Sequence, residues 1–350
     1  MSIHRPHWFS EDYVMVSTAP TCGLTKGGRM LRKVDDHARP IQVVDPETGA
    51  LVDAVNDQLL EDMEALSQIS SVEAAIQSGE VPDTLAFVPA ADVDLGVAVP
   101  VYYDRRFHAH FLQAMQAPEF EGFTSSTLGE LVRRGKIVLR GGHGSPSQEQ
   151  RIGDVPYIKV SDLRAGLVNI NPTNRVPRAI AERLWGGPFS GLRAFDLLCP
   201  ERTSKNIGDF CVLMPGQEQV LTTKEVIVLR PGPEADFDAF YLLWAMTLKI
   251  VRDQWKRIVF MQTNREDVGK RYLEVEIPVA PERAAEVSQD FRNYFQTLAH
   301  ARTRLETYLA SSNSHHFFVA GAEALQEEAE AEVGGPAEPD LGEILDQDSD

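Results

Sequence analysis

Polar side chains able to donate hydrogen bonds to an anion are concentrated in three stretches of this sequence, residues 140–147, 202–207 and 262–270. Arginine and lysine bind phosphate oxygens, while amides and hydroxyls also reach the edges of nucleic-acid bases. In the first stretch, a glycine-rich loop allows close backbone approach to such a ligand, and a surface loop without a ligand is the alternative. The candidate contact residues are Arg140, His143, Ser145, Arg202, Thr203, Lys205, Asn206, Gln262, Asn264 and Lys270, together with Lys159 from a predicted strand.

Sequence signatures of catalysis and of metal binding are missing. The glycine-rich loop lacks the Gly-Lys-Ser/Thr sequence of a Walker phosphate-binding loop. His108 and His110 could ligate a metal from one face of a strand, but no third ligand is near them in sequence, so surface packing is the better interpretation. Cys22, Cys199 and Cys211 are too few and too dispersed for a disulfide framework or a zinc site. We therefore expect a non-enzyme without metal or cofactor.

Acidic residues at the two ends of the chain mask the charge of its middle. The formal net charge is −18, but residues 123–312 contain 26 Lys+Arg against 22 Asp+Glu, a net charge of +4. Residues 1–122 contain 8 bases against 19 acids, and residues 313–350 contain no base and 11 acids. Because affinity for nucleic-acid phosphates is largely cationic, double-stranded DNA stays open as a ligand of the middle segment and is disfavoured for the ends.

The elements that would position the three stretches are predicted from apolar periodicity. Apolar residues at three- and four-residue spacing predict one helix over 237–258, and an uninterrupted seam predicts another over 281–309. Between them an alternating run predicts a strand that ends at Pro278, and short apolar runs predict a sheet-rich segment over 171–233. No run approaches eighteen apolar residues and no cleavable signal is recognisable, so we expect a soluble, cytoplasmic protein without membrane contact.

Two groups of motifs bracket residues 123–280. The opening group comprises Leu128-Gly129-x-Leu131, a glycine-rich loop ending in Ser145-Pro146, and Tyr157-Ile158 followed by Asp162-Leu163 and Gly166. The closing group comprises the apolar helix, Thr263, Val268, Ile277-Pro278 and the next long helix. Together they resemble a target recognition domain of the DNA-specificity (S) subunits of type I restriction-modification systems. One departure is Phe195-Asp196-Leu197-Leu198, which stands where that family has Gly-Asp-Ile/Leu-Leu.

The resemblance implies an α/β (α+β) fold: a sheet-rich target recognition domain at 123–280, a long helix at 281–311, a small N-terminal segment at 1–122 and a disordered acidic tail at 312–350. The N-terminal segment would dock on a methyltransferase or correspond to the end of one. The function implied is sequence-specific DNA recognition in a type I-like restriction-modification or related antiviral defence system. The partners implied are double-stranded DNA and a DNA methyltransferase (M) subunit, with a restriction (R) subunit as a further candidate.

Two other functions and two assemblies stay open at this point. Residues 13–62 faintly resemble the end of an adenine methyltransferase, but Asn171-Pro172-Thr173-Asn174 lacks the second proline and the aromatic residue of its catalytic loop. The alternatives are a methyltransferase fragment or nuclease with an unrecognised active site, and an acidic module that mimics DNA. The seam of the helix at 281–309 needs a partner, which is either a second copy in a homodimer or, as we favour, a helix of the methyltransferase.

Overall fold

The computed structural model describes residues 13–94, 96–97, 99–148, 152–202, 204–261 and 266–312. Thr203, Gln262, Asn264 and residues 313–350 of the predicted acidic tail lie outside the described residues. The chain divides into two compact units, one made of residues 1–113 with 256–260 and the other of residues 114–255 with 261–350. Helices and strands occur in both units, which confirms the mixed α/β prediction.

Seventeen strands and nine helices are present in the described residues. The strands are β1 Tyr13–Ser17, β2 Gln42–Val44, β3 Leu51–Asp53, β4 Leu85–Pro89, β5 Thr124–Thr127, β6 Ile137–Gly141, β7 Val155–Ile158, β8 Leu163–Arg164, β9 Leu167–Val168, β10 Arg175–Val176, β11 Leu197–Pro200, β12 Cys211–Val212, β13 Leu221–Thr222, β14 Val226–Pro231, β15 Phe260–Met261, β16 Glu266–Asp267 and β17 Glu276–Val279. The helices are α1 Gln58–Ser67, α2 Val72–Ser78, α3 Arg106–Ala114, α4 Leu128–Arg133, α5 Arg178–Trp185, α6 Ala239–Thr247, α7 Lys249–Ile258, α8 Ala284–Val287 and α9 Gln289–Ser311.

The first unit contains an extended arm over residues 22–57 that buries little apolar surface. Strands β2 and β3 pair antiparallel, and the backbone of residues 31–33 is hydrogen-bonded to residues 54–56. Several large apolar side chains of the arm are nevertheless exposed, namely Leu24, Met30, Val34, Val44 and Leu51. Backbone hydrogen bonds therefore hold this arm more than side-chain burial does.

A six-stranded sheet with the order β6-β14-β11-β12-β9-β8 forms the centre of the second unit. β6, β14, β11 and β12 pair antiparallel in turn, whereas β12 and β9 run parallel. A three-stranded sheet, β10-β7-β13, packs against α5 through Val155, Tyr157, Val176, Ala181 and Leu221. Strands β7, β11 and β14 are short but almost completely buried, as near-continuous apolar runs require.

The single helix predicted over 237–258 is wrong in one respect, because the structure has two helices. Leu248 adopts extended backbone angles (φ −58°, ψ 131°) and separates α6 from α7. α6 is apolar around most of its circumference and is enclosed by β14, β17 and α9. The Tyr241 hydroxyl donates to the Pro278 carbonyl at 2.9 Å and accepts from the Ala280 amide at 3.1 Å, which fixes α6 against the C-terminal end of β17.

The helix predicted over 281–309 is likewise interrupted. Residues 281–283 form a 3₁₀ turn, α8 ends at Val287, and α9 then runs from Gln289 to Ser311. Phe295 of α9 is buried and stacks on Phe240 of α6 with ring centroids 6.3 Å apart, whereas Tyr308 is 64% exposed. Part of the predicted seam therefore has a partner within the second unit. In the described part of the chain, no helix is long and apolar enough to cross a membrane.

Candidate nucleic-acid interface

Three strands of the six-stranded sheet reach the same end of it. The last residue of β6, Gly141, lies opposite Ile227, and the last residue of β11, Pro200, lies opposite Val226, the first residue of β14. The segments after β6, after β11 and before β14 therefore leave the sheet together. We call this region the loop end and define it as residues 140–147, 159, 201–207, 222–225 and 268–270.

Backbone hydrogen bonds join these segments. The Gly142 amide donates to the Val226 carbonyl at 2.7 Å, and the Glu201 amide donates to the Glu225 carbonyl at 2.8 Å. The Val268 amide donates to the Glu201 carbonyl at 3.1 Å, which adds the described part of the third predicted stretch. All three stretches singled out in the sequence thus contribute residues to one surface.

Lys159 reaches the same surface from the neighbouring three-stranded sheet. The Thr223 amide donates to the Ile158 carbonyl at 2.9 Å, so Lys159 lies beside the 222–225 turn. Its predicted position within a strand is wrong, because β7 ends at Ile158 and Lys159 precedes a 3₁₀ turn. The Lys159 amide donates to Asp162 Oδ2 at 2.8 Å, and its ammonium group lies 6.0 Å from the centroid of the Tyr157 ring.

The path of the 140–147 loop requires glycine at residue 142. A Cβ atom there would lie 1.9 Å from the Thr223 carbonyl oxygen, whereas one at Gly141 would meet nothing within 4 Å. The following amides, of His143 and Gly144, both donate to the Thr222 carbonyl at 3.1 Å. The close backbone approach expected of this loop is therefore made to the protein's own 222–223 turn.

Arg140 and His143 point into the protein. Arg140 donates to the Ser190 and Gly191 carbonyls at 3.1 and 3.3 Å, and His143 Nε2 lies 2.8 Å from the Ser190 carbonyl. His143 Nδ1 lies 3.1 Å from the Thr222 amide, so the protein occupies both ring nitrogens. These two candidates for DNA contact hold the 190–191 turn in place through their side chains.

Burial keeps the His143 imidazole neutral. Burial, together with the neighbouring Arg140 guanidinium and against the opposing hydrogen bond to Ser190, lowers the pKa of His143 from 6.5 to about 4. Because Nδ1 accepts from the Thr222 amide, the neutral ring carries its proton on Nε2 and donates it to the Ser190 carbonyl; Arg140 Nη2 lies 2.7 Å from the same nitrogen. Protonation of Nδ1 removes the acceptor of the Thr222 amide, while the Thr222 hydroxyl, 3.0 Å from Nδ1, can accept from the protonated ring.

The remaining described candidates lie at the surface of the loop end. Lys205, Asn206 and Lys270 are exposed, and Arg202 is half-buried with its Nη2 atom 3.5 Å from Glu201 Oε1. Ser145 is exposed and shares a hydrogen bond with the Thr223 hydroxyl at 3.0 Å. In the part of the chain that the structure describes, neither Lys205 nor Lys270 forms an ion pair within 4.0 Å.

Lys224 is a loop-end residue that the sequence-based selection missed. It is exposed, while Thr223 before it and Val226 two residues later are buried. The hydrogen bonds from residues 142, 158 and 201 all reach the same turn, which places Lys224 at its centre. The usable signal is a single polar stretch, Thr222-Thr223-Lys224-Glu225, between two apolar runs, as expected of a turn that presents one cation.

Among the described residues, no group of three His, Cys, Asp or Glu side chains could hold a metal ion. His108 and His110 lie on helix α3 and not on a strand, so residues two apart do not share a face. The thiols of Cys199 and Cys211 are buried, which raises the pKa of both and removes thiolate character.

No protein-family model matches this sequence, and no curated protein matches it. Solved structures that are similar to it include three from type I restriction-modification systems. The first is the type I restriction-modification S subunit from M. genitalium, with 13% identity, a TM-score of 0.35 and coverage of 53% of this chain and 42% of that one. The second comes from a type I R-M system studied for complex assembly and conformational transition, with 14% identity, a TM-score of 0.32 and coverage of 81% of this chain and 65% of that one. The third is the HsdS subunit from Thermoanaerobacter tengcongensis, with 14% identity, a TM-score of 0.33 and coverage of 83% of this chain and 63% of that one. The chain thus spans between 42% and 65% of the length of these proteins.

Proposed function

We propose that this chain is the sequence-specific DNA-recognition component of a type I-like restriction-modification or related phage-defence system, and that it directs a partner DNA methyltransferase to its site. One observation carries the proposal: the described parts of the three donor-rich stretches, residues 140–147, 202 with 204–207, and 268–270, lie at one end of the six-stranded sheet. A rigid sheet that presents several loops at one end holds their side chains in fixed relation to a duplex, as recognition requires.

The exposed cations of the loop end contact phosphates in this proposal. Lys205, Lys224 and Lys270 have no ion pair within the described residues, so binding DNA breaks no existing pair. Each lysine that neutralises a phosphate contributes roughly 0.9 to the slope of log affinity against log salt. Lys159 and Arg202 add phosphate contacts from partly buried positions.

Base edges are read by the uncharged donors and acceptors. Ser145 and Asn206 are exposed at the loop end, and Thr203, Gln262 and Asn264 are proposed for the same role from sequence. Asparagine and glutamine can form paired hydrogen bonds with adenine in the major groove. Arg140 and His143 act in this account by holding the neighbouring turn, without touching DNA themselves.

The partner methyltransferase docks on the first unit and on α9. The exposed apolar residues of the arm, among them Leu24, Met30 and Leu51, provide surface that gains by being covered. On α9, Tyr294 and Tyr308 are separately exposed. A homodimer that uses α9 is the competing assembly, and a restriction subunit would join the complex through the methyltransferase.

Selection from a random duplex library tests the proposal. The full chain is used alone and together with an adenine methyltransferase that lacks its own recognition domain, and we expect one sequence to be enriched and methylated. Light scattering then separates a homodimer from a heteromeric complex. Absence of enrichment under both conditions contradicts the proposal. If the chain instead prevents the methyltransferase from binding DNA, the result favours the acidic DNA mimic.

A further inference from the structure

A turn beside the loop end presents an exposed aromatic ring. Residues 186–191 read Gly-Gly-Pro-Phe-Ser-Gly and follow α5. Phe189 is 70% exposed, whereas the next residue, Ser190, is only 3% exposed. A single exposed apolar side chain needs no function by itself. The anchoring of this one sets it apart.

Buried polar groups fasten the turn immediately after the ring. The Ser190 hydroxyl donates to the Glu218 carbonyl, and the Ser190 carbonyl accepts from Arg140 at 3.1 Å and from His143 at 2.8 Å. The Gly191 carbonyl accepts from Arg140 at 3.3 Å and from Arg230 at 3.0 Å. Two arginines and a neutral histidine thus hold two consecutive carbonyl groups.

The anchor is itself fixed to the sheet. Arg230 lies on β14, is 8% exposed and pairs with the buried Asp196 at 2.5 Å. Arg140 lies on β6, the strand paired with β14. Burial of charged groups is costly unless they are paired and hydrogen-bonded, so this arrangement is an expensive way to hold a solvent-exposed turn. Its consequence is that the backbone beside Phe189 has little freedom.

The turn adjoins the proposed DNA surface. His143 joins the two directly, since Nε2 contacts Ser190 while Nδ1 contacts Thr222 in the turn that carries Lys224. Phe189 is flanked in sequence by Gly187, Pro188, Ser190 and Gly191, and its ring is 70% exposed, whereas protein-binding hot spots lie within packed, desolvated surroundings. An exposed apolar ring on a firmly held turn, next to a surface proposed to bind DNA, is the kind of side chain that proteins insert between base pairs.

Resting on the proposed function, we propose that Phe189 is a wedge that inserts between adjacent base pairs of the bound duplex and partly unwinds it. Arg140, His143 and Arg230 are its positioning residues. Because the phenyl ring carries no charge, it contributes to affinity through stacking and leaves the salt dependence of binding to the lysines.

Duplex unwinding provides the test. Closed-circular plasmid is relaxed by topoisomerase I in the presence of the full chain and then deproteinised, and the change in linking number is measured beside affinity and salt slope. We expect wild type to leave negative supercoils. Phe189→Ala should abolish them and weaken binding by about ten-fold with an unchanged salt slope, while Phe189→Trp should retain them. Ile152→Ala removes another large apolar side chain, 83% exposed, to which no contact is assigned, and is the matched control.

Each outcome decides between the possibilities. If Phe189→Ala unwinds DNA as much as wild type does, the wedge proposal is wrong. It is also wrong if wild type binds DNA without unwinding it. Both results leave the proposed function intact. If Phe189→Ala unwinds DNA normally but no longer binds the methyltransferase, the ring is a protein contact and the proposal is wrong. If wild type fails to bind plasmid or any selected duplex, the proposed function fails and the wedge fails with it.

Discussion

The two ends of the six-stranded sheet differ in whether their lysines form ion pairs. At the loop end, Lys205, Lys224 and Lys270 form no ion pair within the described residues. At the other end, which we call the paired end and define by residues 128–136 and 232–238, Lys136 pairs with Asp236 at 2.6 Å. Arg133 of the paired end also lies 4.0 Å from Glu130, whereas Arg134 has no ion pair in the described residues and Arg202 of the loop end has one, so the two ends differ in the pairing of their lysines.

The difference explains how a chain with a net charge of −18 can present a surface for DNA. Paired charges cancel locally and contribute little to the field outside the protein, whereas unpaired lysines on neighbouring loops add together. Asp238 shows the structural use of charge, since its carboxylate accepts from the Tyr241 amide at 3.0 Å to cap α6 and also pairs with Arg292. The net charge of the whole chain therefore does not show that charges are paired at one end of the sheet while lysines are unpaired at the other.

The largest expected effect on stability comes from a substitution that introduces a steric clash at the loop end. Gly142→Ala places a Cβ atom 1.9 Å from the Thr223 carbonyl oxygen and forces the 140–147 loop away from the 222–225 turn. We expect a loss of about 3 kcal/mol in the free energy of unfolding, measured by urea denaturation, together with weaker DNA binding. The matched control is Gly141→Ala, where nothing lies within 4 Å. Equal losses in the two variants would contradict the close packing of this loop.

The second expected effect is a pH dependence of the unfolding free energy that comes from His143 at the loop end. Because the pKa of His143 is depressed to about 4 in the fold, the unfolded chain binds more protons between about pH 6.5 and pH 4. The contribution of His143 to the free energy of unfolding is therefore fully present above pH 6.5 and is lost as pH falls toward 4. The loss is on the order of 2 kcal/mol. Thermal melting at several pH values measures it. His143→Gln should show a smaller decline over that window, and an identical decline would exclude His143 as its source.

How much of this could be predicted from sequence differs between the sheet and its loops. The apolar runs at 195–199 and 225–229 correctly predict β11 and β14, because short apolar stretches between turn residues have few other uses. The break at Leu248 gave no signal, since apolar spacing continues through it. The contact between Val268 and Glu201 depends on long-range packing that no local pattern encodes. For the same reason, the inward orientation of His143 could not be predicted.

A third effect belongs to the paired end. Asp238→Ala removes both the cap of α6 and the partner of Arg292, and we expect a loss of about 1 kcal/mol in unfolding free energy. DNA affinity, measured by fluorescence anisotropy, should stay unchanged because this end contacts no phosphate in the account. A large loss of DNA affinity without loss of stability would reverse the roles given to the two ends.

The smallest effect on stability is expected at Lys224. Its side chain is exposed and forms no ion pair in the described residues, so Lys224→Ala should change the unfolding free energy by less than about 0.5 kcal/mol. The same substitution should reduce the slope of log affinity against log salt by about one unit. An unchanged slope would remove Lys224 from the phosphate contacts.

The salt dependence of DNA binding tests the central claim most directly. Two triple alanine variants of the full chain carry the same change in charge: one lacks Lys205, Lys224 and Lys270 at the loop end, and the other lacks Arg133, Arg134 and Lys136 at the paired end. For the loop-end variant we expect the slope of log affinity against log salt to fall by roughly three units. The paired-end variant should retain the wild-type slope. Equal slopes in the two variants, or a larger decrease for the paired-end variant, would contradict the assignment of DNA binding to the loop end.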